Sequence, residues 1–395
     1  MSNKPNIAFI VSRIPYPLEK GDKLRAYHQI VQLSKLANIH LFCLSDSNYS
    51  HSQISELQKY CASVNVYKLN KLKIGFRLIF AYFSRKPFQV HYFFDKAVSR
   101  KIKNKIDQLK PDHIYCQLVR TAEYVKNFFN YNKTIDYMDA FSMGMKRRVA
   151  NENFFAKIFV RYEANRLTAY ESIIFDYFDN HTIISEQDRD LIYHKKQKEI
   201  EIIANGVEQS YLAYFKKSEI KYDILFHGNL NYAPNVDCVK YITQVILPLL
   251  KKVKPEIRIA ISGANPSKKI IEYCKNNSAN IILLGYVDNV AEVYKSAKVF
   301  FAPLQIGTGL QNKILEAMAL KIPVVTSELC NNAIGAKHDV TIITANNPDD
   351  YVIELLDLLN NENKRDIIVT NAYSFVKENF SWEKSTLKLF ELMFK

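Results

Sequence analysis

The residues of this chain best suited to chemistry crowd into one short stretch, Gly307-Thr-Gly-Leu-Gln-Asn-Lys-Ile-Leu-Glu316. The run before it, Lys298-Val-Phe-Phe-Ala-Pro-Leu304, is apolar and reads as a buried parallel strand, and Gly307 and Gly309 let the backbone turn sharply before Leu310. A helix begins at that turn. At roughly 100° per residue, Leu310, Ile314, Leu315 and Met318 share one side of it, while Asn312, Lys313 and Glu316 share another. A helix N-terminus behind two glycines offers unpaired N–H groups and a partial positive charge, which suits a phosphate, and Lys313 adds a full charge. Glu316, one turn deeper, can accept two hydrogen bonds from the vicinal hydroxyls of a ribose, so the stretch fits a nucleotide sugar better than phosphate alone. The same residues also read as a solvated helix face with a Lys/Glu pair at i, i+3. The stretch is no dinucleotide fingerprint, because Asn312 stands where the third glycine belongs, and no Walker lysine pattern occurs.

The rest of the chain must position this stretch. Its 395 residues exceed what one core usually serves, which predicts two domains. Strands at Ile7–Ser12, Ile39–Leu44, Val64–Leu69, His113–Cys116, Thr134–Asp139, His181–Ser185 and Glu199–Ala204 alternate with helices, including a long helical region over 141–179. A polar, lysine-containing connection over 208–221 follows. A second series runs through Asp223–Leu230, Ile257–Ser262, Ile281–Leu284, Val299–Ala302, Pro323–Thr326 and Val340–Ile343, with a helix over 236–252 and three closing helices. This is an α/β pattern of two Rossmann-like domains with a cleft between them, over 1–207 and 222–380, with a last helix within 381–395.

The loop after the first strand carries Arg13, Lys20, Gly21, Asp22, Lys23 and Arg25 at the strand end where α/β sheets meet ligands, so these are candidate substrate-binding residues; a basic surface loop is the alternative. Asp136 and Asp139 lie at the same end of a later strand. Over 68–105, lysines and arginines interleave with large aromatics such as Phe76, Phe80, Phe83 and Phe93, as a surface facing anionic lipid requires; core aromatics beneath solvated lysines are the alternative. The net charge of +14 calls for an anionic partner: nucleic acid, a phosphorylated substrate or an acidic membrane face. Helix-turn-helix, RNA-recognition and finger patterns are missing, which argues against nucleic acid. The six cysteines have no C-x-x-C spacing and sit in apolar runs, so neither zinc nor a disulfide framework is expected. No signal peptide and no membrane-spanning run is read, which places the chain in the cytoplasm, with contact to the inner face of the plasma membrane through 68–105.

The stretch Gly307-Thr-Gly-Leu-Gln-Asn-Lys-Ile-Leu-Glu-Ala-Met-Ala-Leu-Lys-Ile-Pro-Val-Val325 resembles the signature of the GT-B glycosyltransferases of glycosyltransferase family 4, supported by Ile203-Ala-Asn-Gly-Val207 and Gly285-Tyr-Val-Asp-Asn-Val290. Ser12–Arg25 and Gly228–Asn235 resemble a narrower branch, the exopolysaccharide and exosortase-associated sugar transferases. The resemblance implies a retaining, hexosyltransferase-like enzyme that moves a sugar from a UDP- or GDP-linked donor, without metal or other cofactor. The acceptor would be a glycan or polyprenyl-linked glycan in bacterial surface polysaccharide or glycoconjugate synthesis, and the last helix would pack back on the first domain. A nucleotide-sugar 2-epimerase and a catalytically silent relative are the alternatives. The donor would lie on Gly228, Asn229, Asn235, Tyr286, Val287, Gly307, Thr308, Gly309, Leu310, Gln311, Asn312, Lys313 and Glu316, and the catalytic candidates are Asp139, Lys313 and Glu316. Asp139 stands where the family often has a histidine, and also reads as a helix cap. Two departures shift weight onto few residues. Thr308 replaces a frequent glutamate, and Gly228, Asn229, Asn231 and Asn235 replace the usual Arg and Lys, which leaves diphosphate charge to Lys313, the loop amides and Arg13 or Lys23 across the cleft.

Overall fold

The structure, a computed structural model, describes residues 4–149, 154–214, 216, 218–306 and 309–395. It divides into two compact units, Met1–Ala204 together with Trp382–Lys395, and Asn205–Ser381. In the first unit seven parallel strands, β1 (Asn6–Val11), β2 (Asn38–Ser45), β3 (Ser63–Lys68), β4 (His113–Gln117), β5 (Lys133–Asp136), β6 (Asn180–Ile183) and β7 (Glu201–Ile202), lie in the order β3-β2-β1-β4-β5-β6-β7. Pleating sends alternate side chains of β1 to opposite faces: Ile7, Phe9 and Val11 pack with Ile30 and Leu389, while Ala8 and Ile10 pack with Ile102 and Ile174. Both faces are thus covered by helices. The closing helix Trp382–Met393 belongs to the first unit, where the Trp382 indole stacks on His28 with ring centroids 4.8 Å apart.

The second unit repeats the plan with β8 (Tyr222–His227), β9 (Ile259–Ser262), β10 (Ile281–Gly285), β11 (Ala297–Ala302), β12 (Val324–Thr326) and β13 (Ile343–Thr344), ordered β10-β9-β8-β11-β12-β13 and parallel throughout. Strand order reverses beside β1 in one sheet and beside β8 in the other. Connections leaving the two sides of a reversal cross opposite faces of the sheet, so a crevice opens at the carboxyl ends of β1 and β4, and of β8 and β11.

Several elements differ from the sequence expectation. The strand expected over Glu199–Ala204 is only the edge pair Glu201–Ile202, and that expected over Val340–Ile343 begins at Ile343. The expected helix over 141–179 is two helices, Phe141–Val149 and Phe154–Phe175. The helix expected over 236–252 starts at Ala233, passes through a π-helical turn at Ile242–Ile246 and resumes over Leu247–Val253; Pro248 has no N–H to continue the regular ladder. Within 208–221 lies the short helix Gln209–Leu212, part of the second unit.

One interaction ties the first unit together. Arg25 is wholly buried: its Nε and Nη2 donate to the Asp136 carboxylate at 2.6 and 3.0 Å, and Nη1 donates to the Ile203 carbonyl at 2.8 Å. The Tyr115 hydroxyl donates to the same carboxylate at 2.8 Å and Thr182 at 3.0 Å, so β4, β5, β6 and the helix Gly21–Leu33 meet on one charge pair. Arg25 and Asp136 therefore build the fold, which corrects the expectation that Arg25 binds substrate: its donors are turned inward and spent. Replacing Asp136 by Ala leaves a buried guanidinium without its counter-charge and should lower the stability of the first unit by about 3–5 kcal/mol. Chemical denaturation followed by the fluorescence of Trp382, the single tryptophan of the chain, checks this.

Candidate functional site

At the crevice of the second sheet, β8 ends at His227 and turns through Gly228 and Asn229, while β11 passes through residues 303–311 into the helix Asn312–Ala319. The crowding there requires glycine. A Cβ on Gly263, whose φ is +143°, would lie 1.7 Å from the Gly228 carbonyl oxygen, and one on Gly228 would lie 2.8 Å from Asn235 Nδ2. Backbone thus packs on backbone beneath the loop. Lys313 Nζ donates to Asn235 Oδ1 at 2.5 Å and lies 5.2 Å from the centre of the Phe226 ring, while Asn235 Nδ2 donates to the Asn229 carbonyl at 2.8 Å. The structure so brings Gly228, Asn229, Asn235 and Lys313 together. Burial lowers the pKa of Lys313, and burial together with the Lys313 charge pushes His227 down to about 4, so that imidazole is neutral.

Glu316 sits one turn beyond Lys313. The Tyr294 hydroxyl is shared between the Lys313 carbonyl at 3.0 Å and Glu316 Oε2 at 3.2 Å. Burial raises the Glu316 carboxyl to about 7 against the opposing pull of Tyr294 and Lys313, with Glu208 adding to the rise. Asn312 Oδ1 accepts from Asn205 at 3.1 Å, Gln311 Nε2 donates to the Gly309 carbonyl at 3.3 Å, and Gly309 takes φ +78° just before Leu310. Gly307 and Thr308 lie outside the described residues. Tyr286 and Val287 follow β10, the sheet edge two strands from β8, and Tyr286 is 72% exposed. No bond joins either to the Lys313 cluster among the contacts of the described residues.

At the crevice of the first sheet, Arg13 follows β1 and forms an ion pair with Asp22, while Arg120 follows β4. Both guanidiniums face the Phe93 ring, at 5.5 and 5.1 Å from its centre, and Arg120 also faces Phe141 at 5.0 Å. They line a cavity of about 500 Å³ whose other walls include Leu78, Phe88, Tyr92 and Phe159, with Asp46 accepting from the Tyr92 hydroxyl at 2.6 Å. Burial would raise the Asp22 carboxyl, but the charges of Arg13, Arg120 and Lys20 outweigh it and hold the group below its ordinary range. Asp139 is different. Its Oδ1 is buried without a hydrogen-bond partner, and burial with the nearby Asp188 raises the group to about 8, Arg120 pulling the other way. Of the remaining loop residues, Lys20 and Gly21 are exposed, and Lys23 is half-buried with a lowered pKa from that burial.

Sequence reasoning missed Arg120, Tyr294 and His227. Arg120 follows a strand as Arg13 does, so the crevice rule that singled out Arg13 also reaches it; Tyr294 sits on a helix whose side chains read as ordinary core. Among the described residues, no three His, Cys, Asp or Glu side chains converge to hold a metal ion.

Comparison with known proteins places this geometry. Residues 221–361 match the family described as "Glycosyl transferases group 1". The chain is 24% identical over 403 residues to a Klebsiella pneumoniae protein described as an "Uncharacterized 44.6 kDa protein in cps region", covering 98% of this chain and 99% of that one. Among solved structures, sucrose-phosphate synthase from Thermosynechococcus elongatus superposes with a TM-score of 0.68 at 13% identity, over 98% of both chains. HepE from Anabaena in complex with UDP-glucose does so with a TM-score of 0.66 at 12% identity, again over 98% of both. At such identities the structural likeness establishes the fold, and the fold is GT-B. Residues 221–361 of this chain are thus similar to the group 1 glycosyl transferases, and the chain has a GT-B fold of two parallel-sheet Rossmann-like domains.

Proposed function

We propose that the chain is a retaining glycosyltransferase that moves a sugar from a UDP- or GDP-linked donor to a glycan or lipid-linked acceptor in surface polysaccharide synthesis. The observation that carries this reading is the pair Lys313 and Glu316, one helical turn apart at the crevice of the second sheet. Ionised Glu316 accepts from both ribose hydroxyls of the donor, and Lys313 meets the diphosphate together with the helix N-terminus. The C–O bond to the diphosphate breaks while the acceptor oxygen bonds the anomeric carbon from the same face, and the departing diphosphate oxygen takes the acceptor's proton. Lys313 is aimed at the charge that develops on that diphosphate. Asp139, protonated at neutral pH, donates a hydrogen bond to an oxygen of sugar or acceptor. UDP-glucose in the HepE complex and the "cps region" of the Klebsiella relative support the donor and the setting. The aromatics exposed along Lys71–Ala81 support a lipid-linked acceptor and contact with an anionic membrane.

Incubation of the purified chain with UDP- and GDP-sugars tests the reading through thermal stabilisation and slow donor hydrolysis. Stabilisation by none of them, or epimerised sugar released without any acceptor, overturns it. Because the unliganded Glu316 carboxyl titrates at about 7, the proton it holds below that pH must leave before both ribose bonds form. Donor affinity should therefore rise as pH increases through about 7, and Glu316→Gln should flatten the profile and weaken binding at alkaline pH by about tenfold or more. Tyr294→Phe removes the hydroxyl that favours the carboxylate, so the midpoint of the same profile should move to higher pH; calorimetric titrations across the pH range read both effects.

A further inference from the structure

We propose that the Arg13/Arg120 cavity holds the phosphate or diphosphate head of an amphiphilic acceptor, whose hydrocarbon chain leaves past Leu78 and Phe159 onto the exposed aromatic face of the first unit. This rests on the acceptor half of the transferase reading. The cavity lies where strand order reverses, with one arginine supplied from each side of the reversal. Arg120 is only 7% exposed, and its Nε has no hydrogen-bond partner. Aromatic rings flank its guanidinium without offering an oxygen acceptor, so a buried cationic donor stands ready for an anion.

The surrounding carboxylates do not fill that role. Asp22 is engaged by Arg13 and Asp46 by Tyr92, and Asp139 is protonated at neutral pH. Burial, and then the neighbouring charge of Arg13, lower Arg120 to about 10 against the opposing pull of Asp22 and Asp139, and an arriving anion would favour its charged form. Arg13 and Arg120 line the same cavity, and each guanidinium can meet a phosphate oxygen with its N–H donors.

The cavity wall continues into an apolar surface. Leu78 lines the cavity from the helix Lys71–Ala81, while Ile79 and Phe80 of that helix face outward, Phe80 at 70% exposure. Phe83, just beyond it, is 85% exposed. Phe159 belongs to both surfaces: it packs on Phe88 at 4.9 Å within the cavity wall and is itself exposed, next to exposed Ile158. A soluble saccharide gives no reason for a charged cavity to open onto hydrocarbon, whereas a phosphorylated isoprenoid matches both parts.

Calorimetric titration of the full chain with farnesyl diphosphate, inorganic pyrophosphate and farnesol tests this. Farnesyl diphosphate should bind with an affinity that pyrophosphate and farnesol each miss by at least about tenfold, since each lacks one half of the contact. Arg13→Gln and Arg120→Gln should each weaken farnesyl diphosphate by about tenfold, and Phe80→Ser should weaken it while leaving pyrophosphate unchanged. Should Arg120→Gln fail to fold, half-exposed Arg13 carries the test. Unchanged binding in Arg13→Gln overturns the assignment. Pyrophosphate binding as tightly as farnesyl diphosphate overturns the lipid and identifies a soluble phosphate ligand, and displacement of farnesyl diphosphate by UDP hands the arginines to the donor. Stabilisation by nucleotide sugars, measured on the same preparation, separates the two readings: its absence with farnesyl diphosphate binding intact sinks the transferase and leaves the lipid-phosphate site.

Discussion

A parallel sheet whose strand order reverses cannot cover its own carboxyl edge at the reversal, and this constraint organises both halves of the chain. From β1 and β4, and again from β8 and β11, the connections depart across opposite faces, and the loops between them are left facing an open crevice. Polar groups at those four strand ends have ligands or each other as partners, because sheet pairing stops there. The chain places Arg13 and Arg120 at one reversal, and Gly228, Lys313 and Glu316 at the other.

Buried charge serves two opposite purposes in these units. Arg25 and Asp136 saturate one another, with Tyr115, Thr182 and the Ile203 carbonyl completing the set, and nothing is left over for a ligand. Arg120, Asp139 and Glu316 are left short: an Nε without an acceptor, an Oδ1 without a donor, and a carboxyl that burial holds in its protonated form up to about 7. The first arrangement fixes structure, and the second stores unfavourable electrostatics that a bound molecule can release. Residue type alone does not distinguish them. Arg13 and Arg25 sit in one basic stretch, but Arg13 stays in the loop at the crevice while Arg25 lies on the helix Gly21–Leu33 and faces the core.

That difference shows what could be read from sequence. The strands were legible because fully buried parallel strands are unbroken apolar runs, such as Ile7–Val11 and Val299–Ala302, and the two-unit α/β plan follows from their helix-sized spacing. The helix that carries Lys313 and Glu316 is legible because glycines mark where a helix starts. Arg25 was misread because its partner Asp136 is more than a hundred residues away, and no local pattern encodes a long-range ion pair. Tyr294 escaped for the same reason: its hydroxyl acts on Lys313 and Glu316, two elements further on. The aromatics over 68–105 divide, with Phe93 buried beneath the arginines and Phe76, Phe80 and Phe83 outside, because Phe76 and Phe80 share the outer face of the helix Lys71–Ala81 and Phe93 lies on the next helix, Phe88–Phe93.

The helix Trp382–Met393 carries a further implication for how the protein is made. Leu389 and Met393 belong to the same core cluster as Ile7, Phe9 and Ile30. During synthesis the first sheet and the helix Gly21–Leu33 emerge early, yet the part of that face under Leu389 and Met393 stays open until the whole of Asn205–Ser381 has been translated. The first unit therefore waits for Trp382–Met393 before its core closes, and the apolar strip left open is the surface a nascent-chain chaperone would have to shield in the interval.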